Sequence, residues 1–128
     1  RCQSTVKACL MEKFFADSFA ADWIKSWNAH DLERILAHYA DDFDMSSPMI
    51  IQLARDQSGT LHGKAAVRAY WSAALEQIPD LHFELISVLV GVRSITVYYK
   101  GTRDRLAAEV FHFGSDGKVT SAFAHYAQ

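Results

Sequence analysis

The chain has 128 residues, of which 50% are hydrophobic and 22% are charged, and its formal net charge is −2. This composition is typical of one globular domain and excludes a disordered chain. The weak charge argues against a nucleic-acid partner, and the lack of any apolar run of about 18 residues argues against a membrane span.

The N-terminal residues 1–11 are interpreted as an extension of a single domain that occupies residues 1–128. They contain both cysteines, Cys2 and Cys9, whose spacing is typical of neither a redox pair nor a disulfide framework. They also lack the apolar run of a signal peptide. We therefore expect two free thiols and a cytoplasmic protein.

Aromatic side chains recur at every fourth position in the predicted first helix, from Glu12 to Ala29. Phe15, Phe19, Trp23 and Trp27 then form one stripe along the helix, as in a helix that covers an apolar core. Core packing is the ordinary role of such a stripe. It can also supply the wall of a pocket.

A second short helix is predicted after Asp31, which is a suitable N-cap. Its predicted buried side is Leu32, Ile35, Leu36 and Tyr39. Asp41 and Asp42 are expected to end this pair of helices. A first strand then runs from Phe43 to Leu53, and Pro48 within it favours an edge strand or a bulge.

A third helix is predicted to follow Gly63 and to end before Pro79. The apolar positions at helical spacing are Ala66, Val67, Tyr70, Trp71, Ala74 and Leu75. Four strands follow, separated by turn signals, at 83–90, 94–100, 106–113 and 118–126. Helices first and an antiparallel meander afterwards predict an α+β fold with the helices on one curved sheet.

The last two strands are joined by the turn 114–117, whose two glycines suit a tight hairpin. If Phe113 pairs with Lys118, Glu109 faces Ala122. One face then carries Ala107, Glu109, Phe111, Phe113, Thr120, Ala122, Ala124 and Tyr126. The other carries Leu106, Ala108, Val110, His112, Val119, Ser121, Phe123 and His125. Because both faces are largely apolar, we expect helices on the first and a second subunit on the second.

Glu109 is the unusual residue of this hairpin, because an acid is predicted in the middle of an apolar face. One interpretation is a salt bridge with Arg105 or Lys118. The other is an acid or hydrogen-bond donor at the floor of a pocket, where burial would raise its pKa. The sequence leaves both interpretations open.

Other polar residues give weaker signals. Asp44 is interpreted as a surface acid at a strand start, and His62 as a helix cap or a residue at a pocket mouth. His112 and His125 are not predicted to be neighbours, which argues against a metal site. No catalytic serine motif or phosphate-binding glycine loop is present. We therefore predict no metal and no cofactor.

Several segments resemble the nuclear transport factor 2-like superfamily, and more narrowly its SnoaL-like branch of polyketide cyclases and relatives of ketosteroid isomerases. They are residues 23–32, 39–43, 47–48, 61–71 and 113–119. The resemblance extends from about Phe15 to Tyr126. It implies a cone of three helices on a strongly bent sheet, a pocket between them, and frequent homodimers through the outer sheet face.

The isomerase site implied by this resemblance is only partly present. Ser47 stands where the isomerases have a general-base aspartate before a proline, and Trp23 stands in place of their oxyanion-hole tyrosine. Glu109 keeps the carboxyl group of the oxyanion hole. Steroid isomerisation is therefore not expected, because serine is a poor base and indole has a single donor. The cyclases' base also has no clear counterpart.

The sequence thus predicts a pocket for a small hydrophobic molecule, including polycyclic ones, with Glu109 as the catalytic candidate. The candidate substrate-binding residues are Trp23, Trp27, Tyr39, Ser47, Tyr70, Trp71, Phe111, Ala122 and Tyr126. Three hypotheses remain open: acid–base isomerisation or cyclisation, non-catalytic binding of a similar ligand, and a protein-interaction module.

Overall fold

The computed structural model describes residues 12–128, so the predictions for the extension 1–11 and its cysteines lie outside it. This part contains four α-helices: α1 (Lys13–Asn28), α2 (Leu32–Leu36), α3 (Pro48–Leu53) and α4 (Lys64–Gln77). Six strands complete it: β1 (Tyr39–Ser46), β2 (Thr60–His62), β3 (Glu84–Gly91), β4 (Ser94–Lys100), β5 (Leu106–Phe113) and β6 (Val119–Tyr126).

The six strands form one mixed sheet in the order β2-β1-β6-β5-β4-β3. The pairing of β1 with β6 is parallel, and the other four pairings are antiparallel. Helices lead and the antiparallel run β3 to β6 follows, which confirms the predicted α+β class and the cone-shaped architecture. The parallel pairing places β1 between β6 and the short edge strand β2.

The aromatic stripe of α1 packs on the concave face of the sheet. Phe19 contacts Phe111 at 5.0 Å between ring centroids, and Trp23 contacts Tyr99 at 5.4 Å. Both contacts are edge-to-face, which is a preferred geometry for aromatic pairs. The predicted helix and its buried face are therefore confirmed, and α1 forms one wall of the space enclosed by the sheet.

The first strand was wrongly predicted at both ends. It runs from Tyr39 to Ser46, so Tyr39 belongs to the strand and not to the second helix, and Asp41 and Asp42 lie within it. Pro48 is not inside a strand. It is the first residue of α3, and Ser47 caps this helix by accepting a hydrogen bond from the Met49 amide at 3.1 Å. Serine followed by proline is a typical helix start.

The last hairpin has a different register from the predicted one. Glu109 faces Ala124, not Ala122, and Ala122 faces Phe111. A bulge next to the turn leaves Thr120 exposed and places Val119 in the core beside Phe113. The register differs by two residues beyond the bulge, so the remaining inner-face residues keep their predicted face.

The convex face of the sheet is partly exposed. Phe123 is 39% exposed, and His112 and His125 are exposed as well. The predicted hairpin register places His112 opposite Val119 and His125 opposite Leu106. Both partners were wrong, because the histidines face Ser121 and Ala108, but the two histidines are not paired with each other, as predicted. None of the helices within residues 12–128 is long and apolar enough to span a membrane.

Candidate functional site

A cavity of about 670 Å³ lies between the concave face of the sheet and the helices α1, α3 and α4. Its walls are mainly aromatic and aliphatic, and its mouth is lined by residues 101–106 together with the last two residues of the chain. The wall residues are Trp23, Trp27, Met45, Ser47, Met49, Leu53, Tyr70, Trp71, Ala74, Ile78, Leu81, Phe83, Tyr99, Ala107, Glu109 and Tyr126. Such a volume and lining suit a small hydrophobic molecule.

Most of the sequence-predicted site residues lie around this one cavity. They are Trp23, Trp27, Ser47, Tyr70, Trp71, Glu109 and Tyr126. Three others do not line it: Tyr39, Phe111 and Ala122 are buried in the core behind the wall. Tyr39 packs against Trp71 at 5.2 Å, and Phe111 is covered by Phe19 and Trp23. These three support the cavity from behind.

Glu109 reaches the cavity from the middle of β5. Its cross-strand neighbours are Val97 and Ala124, and its side chain is 4% exposed. Burial raises the pKa of this carboxyl to about 7, and a hydrogen bond of 3.2 Å from the Tyr99 hydroxyl to Oε1 opposes that rise. Glu109 is therefore a buried acid that titrates near neutral pH.

The salt-bridge interpretation of Glu109 was wrong, because both proposed partners are engaged elsewhere. Arg105 donates from Nε to the Ala127 carbonyl at 3.1 Å and lies over the Tyr126 ring. Lys118 donates to the Ala37 carbonyl at 2.8 Å. The acid is held by a neutral phenol instead of a cation, which explains why burial dominates its pKa.

Tyr99 was not identified from the sequence as a site residue. It pairs with Ala107 across β4 and β5, two positions from the Val97–Glu109 pair and on the same face. Its phenol therefore points toward Glu109, and burial and the nearby Glu109 charge raise its pKa well above the ordinary value. Pairing β4 with β5 in the sequence would have found it, because both strands were predicted with the correct bounds.

Three side chains with hydroxyl groups also line the cavity wall. Ser47 lies between β1 and α3, Tyr70 on α4 and Tyr126 at the end of β6. Burial raises the pKa of Tyr126 to about 12 and that of Tyr70 further, while an interaction with the Ser47 hydroxyl lowers both. We call Ser47, Tyr70 and Tyr126 the hydroxyl cluster. It is the main polar feature of the wall besides Glu109 and Tyr99.

The two tryptophans of α1 differ in their hydrogen bonding. Trp23 donates from Nε1 to the Tyr39 hydroxyl at 2.9 Å, so this indole group is already satisfied within the core. Trp27 has a buried Nε1 for which residues 12–128 provide no hydrogen-bond partner. Trp23 therefore contributes a ring face to the cavity wall and no donor.

The mouth of the cavity has an unusual backbone. Arg103 and Asp104 both adopt left-handed φ angles, 60° and 61°, between β4 and β5. Consecutive non-glycine residues in this region cost about 1 kcal/mol or more each. This backbone conformation places the charged side chains of Arg103 and Asp104 at the entrance of an apolar cavity.

Asp44 and His62 form a pair away from the cavity. The His62 ring lies 2.6 Å from the Asp44 carboxylate on the convex side of β1 and β2, and both side chains are largely exposed. Gly63, not His62, occupies the cap position of α4, and neither residue lines the cavity mouth. In the described part of the chain, no three His, Cys, Asp or Glu side chains are placed to hold a metal ion.

The family described as the SnoaL-like domain matches residues 20–122. No curated protein matches the chain. A solved structure of a SnoaL-like protein of unknown function from Burkholderia thailandensis is 57% identical, with a TM-score of 0.89, and the match covers 91% of this chain and 98% of that one. A SnoaL-like family protein from Agrobacterium tumefaciens is 14% identical, with a TM-score of 0.72 and coverage of 90% and 99%.

The fold is also shared with SalBIII, described as an epoxide hydrolase/cyclase-like enzyme in pyran ring formation in the polyether salinomycin. It is 15% identical, with a TM-score of 0.71, and the match covers 91% of this chain and 94% of that one. At this identity the likeness concerns the fold alone.

Proposed function

The chain belongs to the SnoaL-like domain family, and we propose that it binds a small hydrophobic molecule in the cavity and moves a proton on it through Glu109. The observation that carries this proposal is the placement of Glu109, an almost fully buried carboxyl group on the wall of an apolar cavity. Its pKa of about 7 makes both protonation states accessible at neutral pH. A general acid or base is most effective with such a pKa.

The proposed reaction is a proton relocation that needs no cofactor. The Glu109 carboxylate takes a proton from a carbon next to a carbonyl group, leaving an enolate and a neutral Glu109. The same proton, or one exchanged with water, then returns to another atom of the ligand, and the carboxylate is regenerated. Tyr99 supports both states, because its hydroxyl can remain bonded to Oε1 throughout.

The walls favour a flat apolar ligand. Trp27 and Trp71 contact each other at 5.1 Å in an edge-to-face arrangement, and Phe83 lies 5.7 Å from Trp23. Rings held in this way offer rigid surface to a ligand at little entropic cost. Contact with such surface contributes about 25 cal/mol for each Å² of apolar area removed from water.

The test uses 2-tetralone, a two-ring ketone with acidic C–H groups next to its carbonyl. Hydrogen–deuterium exchange at these carbons is followed by NMR in D2O. The wild-type protein is expected to accelerate the exchange, and Glu109→Gln is expected to abolish the acceleration. Glu76→Gln is the matched control, because Glu76 is exposed on α4 and does not line the cavity.

Two results would contradict the proposal. The first is an exchange rate with the wild-type protein equal to that in buffer. The second is an acceleration that survives in Glu109→Gln. Circular dichroism of both variants shows whether they fold as the wild type does.

Non-catalytic binding is the second candidate, and the role of Ser47 favours it. The Ser47 hydroxyl caps α3, and among the residues that line the inner wall Glu109 is the sole carboxylate. A second acid or base is therefore lacking on this part of the described wall. Binding of 2-tetralone without accelerated exchange would support this candidate over catalysis.

A further inference from the structure

Residues 81–83 form a short segment without regular structure between α4 and β3. Two of its three side chains, Leu81 and Phe83, line the cavity. The backbone groups of such a segment have no helix or strand to supply their hydrogen bonds, so they need other partners. Side chains at and just beyond the C-terminal end of α1 supply them, and neither of these side chains lines the cavity.

Asn28, the last residue of α1, holds Phe83 with both ends of its amide group. Its Nδ2 atom donates to the Phe83 carbonyl at 2.9 Å, and its Oδ1 atom accepts from the Phe83 backbone amide at 2.7 Å. An asparagine side chain offers one acceptor and two donors close together, which suits the two backbone groups of a single residue. His30 adds a third bond, from its Nε2 atom to the Leu81 carbonyl at 2.9 Å.

The Phe83 ring connects this fixed segment to the site of the buried acid. Its centroid lies 4.6 Å from that of Tyr99 and 5.6 Å from that of Trp27. Tyr99 is the phenol that donates to Glu109, and their bond of 3.2 Å is longer than a typical O–H···O bond. A small displacement of the Tyr99 ring would therefore weaken this bond further.

We propose that Asn28 is a positioning residue for Glu109 and acts through Phe83 and Tyr99. The Asn28 amide fixes the Phe83 backbone, the Phe83 ring limits the movement of the Tyr99 ring, and Tyr99 keeps its hydrogen bond to the acid. The role in catalysis rests on the proposed function. The effect on the Glu109 carboxyl does not, because it can be measured without a ligand.

The first experiment follows the Glu109 carboxyl stretch by infrared titration. Tyr99→Phe is expected to raise the pKa of Glu109 by about one unit, and Asn28→Ala is expected to raise it by about half a unit, because the phenol is held less firmly. In the Tyr99→Phe background, Asn28→Ala should add less than about 0.2 unit, since the connection is already broken. A general loosening of the fold would instead act in both backgrounds.

The second experiment separates proton transfer from binding. With saturating 2-tetralone, Asn28→Ala is expected to lower the rate of hydrogen–deuterium exchange by about tenfold, because the acid is positioned less precisely. Binding of 2-acetylnaphthalene, a flat two-ring ketone, is measured through quenching of tryptophan fluorescence, since three tryptophans line the cavity. Its affinity should stay within about threefold of wild type, because the apolar walls remain.

Ser26→Ala is the matched control on the same helix. The fully buried Ser26 hydroxyl donates to the Asp22 carbonyl at 2.7 Å, and Ser26 does not line the cavity. This variant also loses a bond from a side chain to the backbone, but it should change neither the pKa of Glu109 nor the exchange rate. Phe83→Leu keeps the backbone groups that Asn28 binds and removes the ring, so it should also raise the pKa of Glu109.

Three results would overturn this inference. The first is an unchanged pKa of Glu109 in Asn28→Ala, or in Phe83→Leu should Asn28→Ala not fold. The second is a shift in Asn28→Ala that persists in full when Tyr99 is already phenylalanine. The third is an exchange rate in Asn28→Ala equal to that of an active wild-type protein. A wild-type protein without any exchange activity would count against the proposed function alone, because the titration needs no ligand.

Discussion

Tyr99 donates a hydrogen bond of 3.2 Å to Glu109, and both side chains are almost completely buried on the concave face of the sheet. The Glu109 carboxyl loses its proton near neutral pH, whereas the Tyr99 phenol keeps its proton. A phenol donor stabilises the carboxylate without neutralising its charge. The buried acid is therefore held in place and still free to titrate.

The pH dependence of stability should reveal the buried acid. Glu109 has a pKa of about 7 in the folded state, above the ordinary value of 4.5, so the folded protein binds the proton more tightly than the unfolded chain. The contribution of Glu109 to the free energy of unfolding is fully present below pH 4.5 and is lost as the pH rises through 7. This lowers the free energy of unfolding by about 3 kcal/mol.

Glu109→Gln removes this loss, since glutamine does not ionise. Urea unfolding should give similar stabilities for wild type and variant near pH 4.5, and a more stable variant at pH 8. A difference that does not change with pH would contradict the burial of an ionising carboxyl.

The Tyr99 hydrogen bond is expected to lower the pKa of Glu109. Tyr99→Phe removes a donor to the carboxylate, so the pKa should rise further, by about one unit. Infrared titration of the carboxyl stretch, with Glu109→Gln to identify the band, measures the change. A pKa that stays near 7 would show that the phenol does not interact with the ionised form.

The hydrogen bond between Trp23 and Tyr39 is expected to stabilise the core. Tyr39→Phe leaves the Trp23 Nε1 group buried without its acceptor, which should cost about 1–3 kcal/mol. Tyr98→Phe on the convex side should change stability by about 0.5 kcal/mol or less. Denaturant unfolding of both variants at one pH makes the comparison, and equal losses would argue against a specific role for the buried bond.

Filling the cavity should block ligand binding. Ala74 lines the cavity from α4, whereas its neighbour Ala73 does not. Ala74→Phe is expected to weaken binding of 2-acetylnaphthalene by about tenfold or more, because the ring takes the space of the ligand. Ala73→Phe adds the same bulk outside and should bind within about twofold of wild type. Similar affinities for the two variants would place the ligand elsewhere.

We propose a homodimer that forms through the convex face of the sheet. Its interface would include Val110, His112, Phe123 and His125. Phe123 is 39% exposed there, so a carboxylate at this position would be tolerated in a monomer and repelled in a symmetric interface. Light scattering should find a dimer for wild type and a monomer for Phe123→Glu. Ser115→Glu, in the turn after β5, is the charge-matched control. A wild-type monomer at micromolar concentration would refute the proposal.

Helices and strands were predicted correctly where a local pattern of residues in the sequence was enough to identify them. Helix α1 was predicted from the four-residue spacing between Phe15 and Trp27. The bounds of β4 and β5 were also predicted without knowledge of distant contacts. Ser47 and Pro48 were misassigned because a strand pattern was extended through a helix start. The hydroxyl cap that reveals the error depends on the chain turning there.

The site was predictable in part. Glu109 was found because an acid in an apolar strand is conspicuous, and the two-residue register error preserved its face. Tyr99 was missed because its role depends on which strand lies beside β5. The pairing of β1 with β6, which places Ser46 opposite Phe123, could not be derived from local patterns, because it joins segments far apart in the chain.

The parallel pairing of β1 with β6 also means that the sheet cannot be completed until the last strand has been synthesised. Tyr39 pairs with Val119, 80 positions later, so β1 emerges from the ribosome long before its central neighbour. Until β6 arrives, one edge of β1 has no partner strand and is open to mispairing. Because β6 also supplies Tyr126 to the cavity wall, a nascent chain that ends before β6 has neither the finished sheet nor the complete cavity.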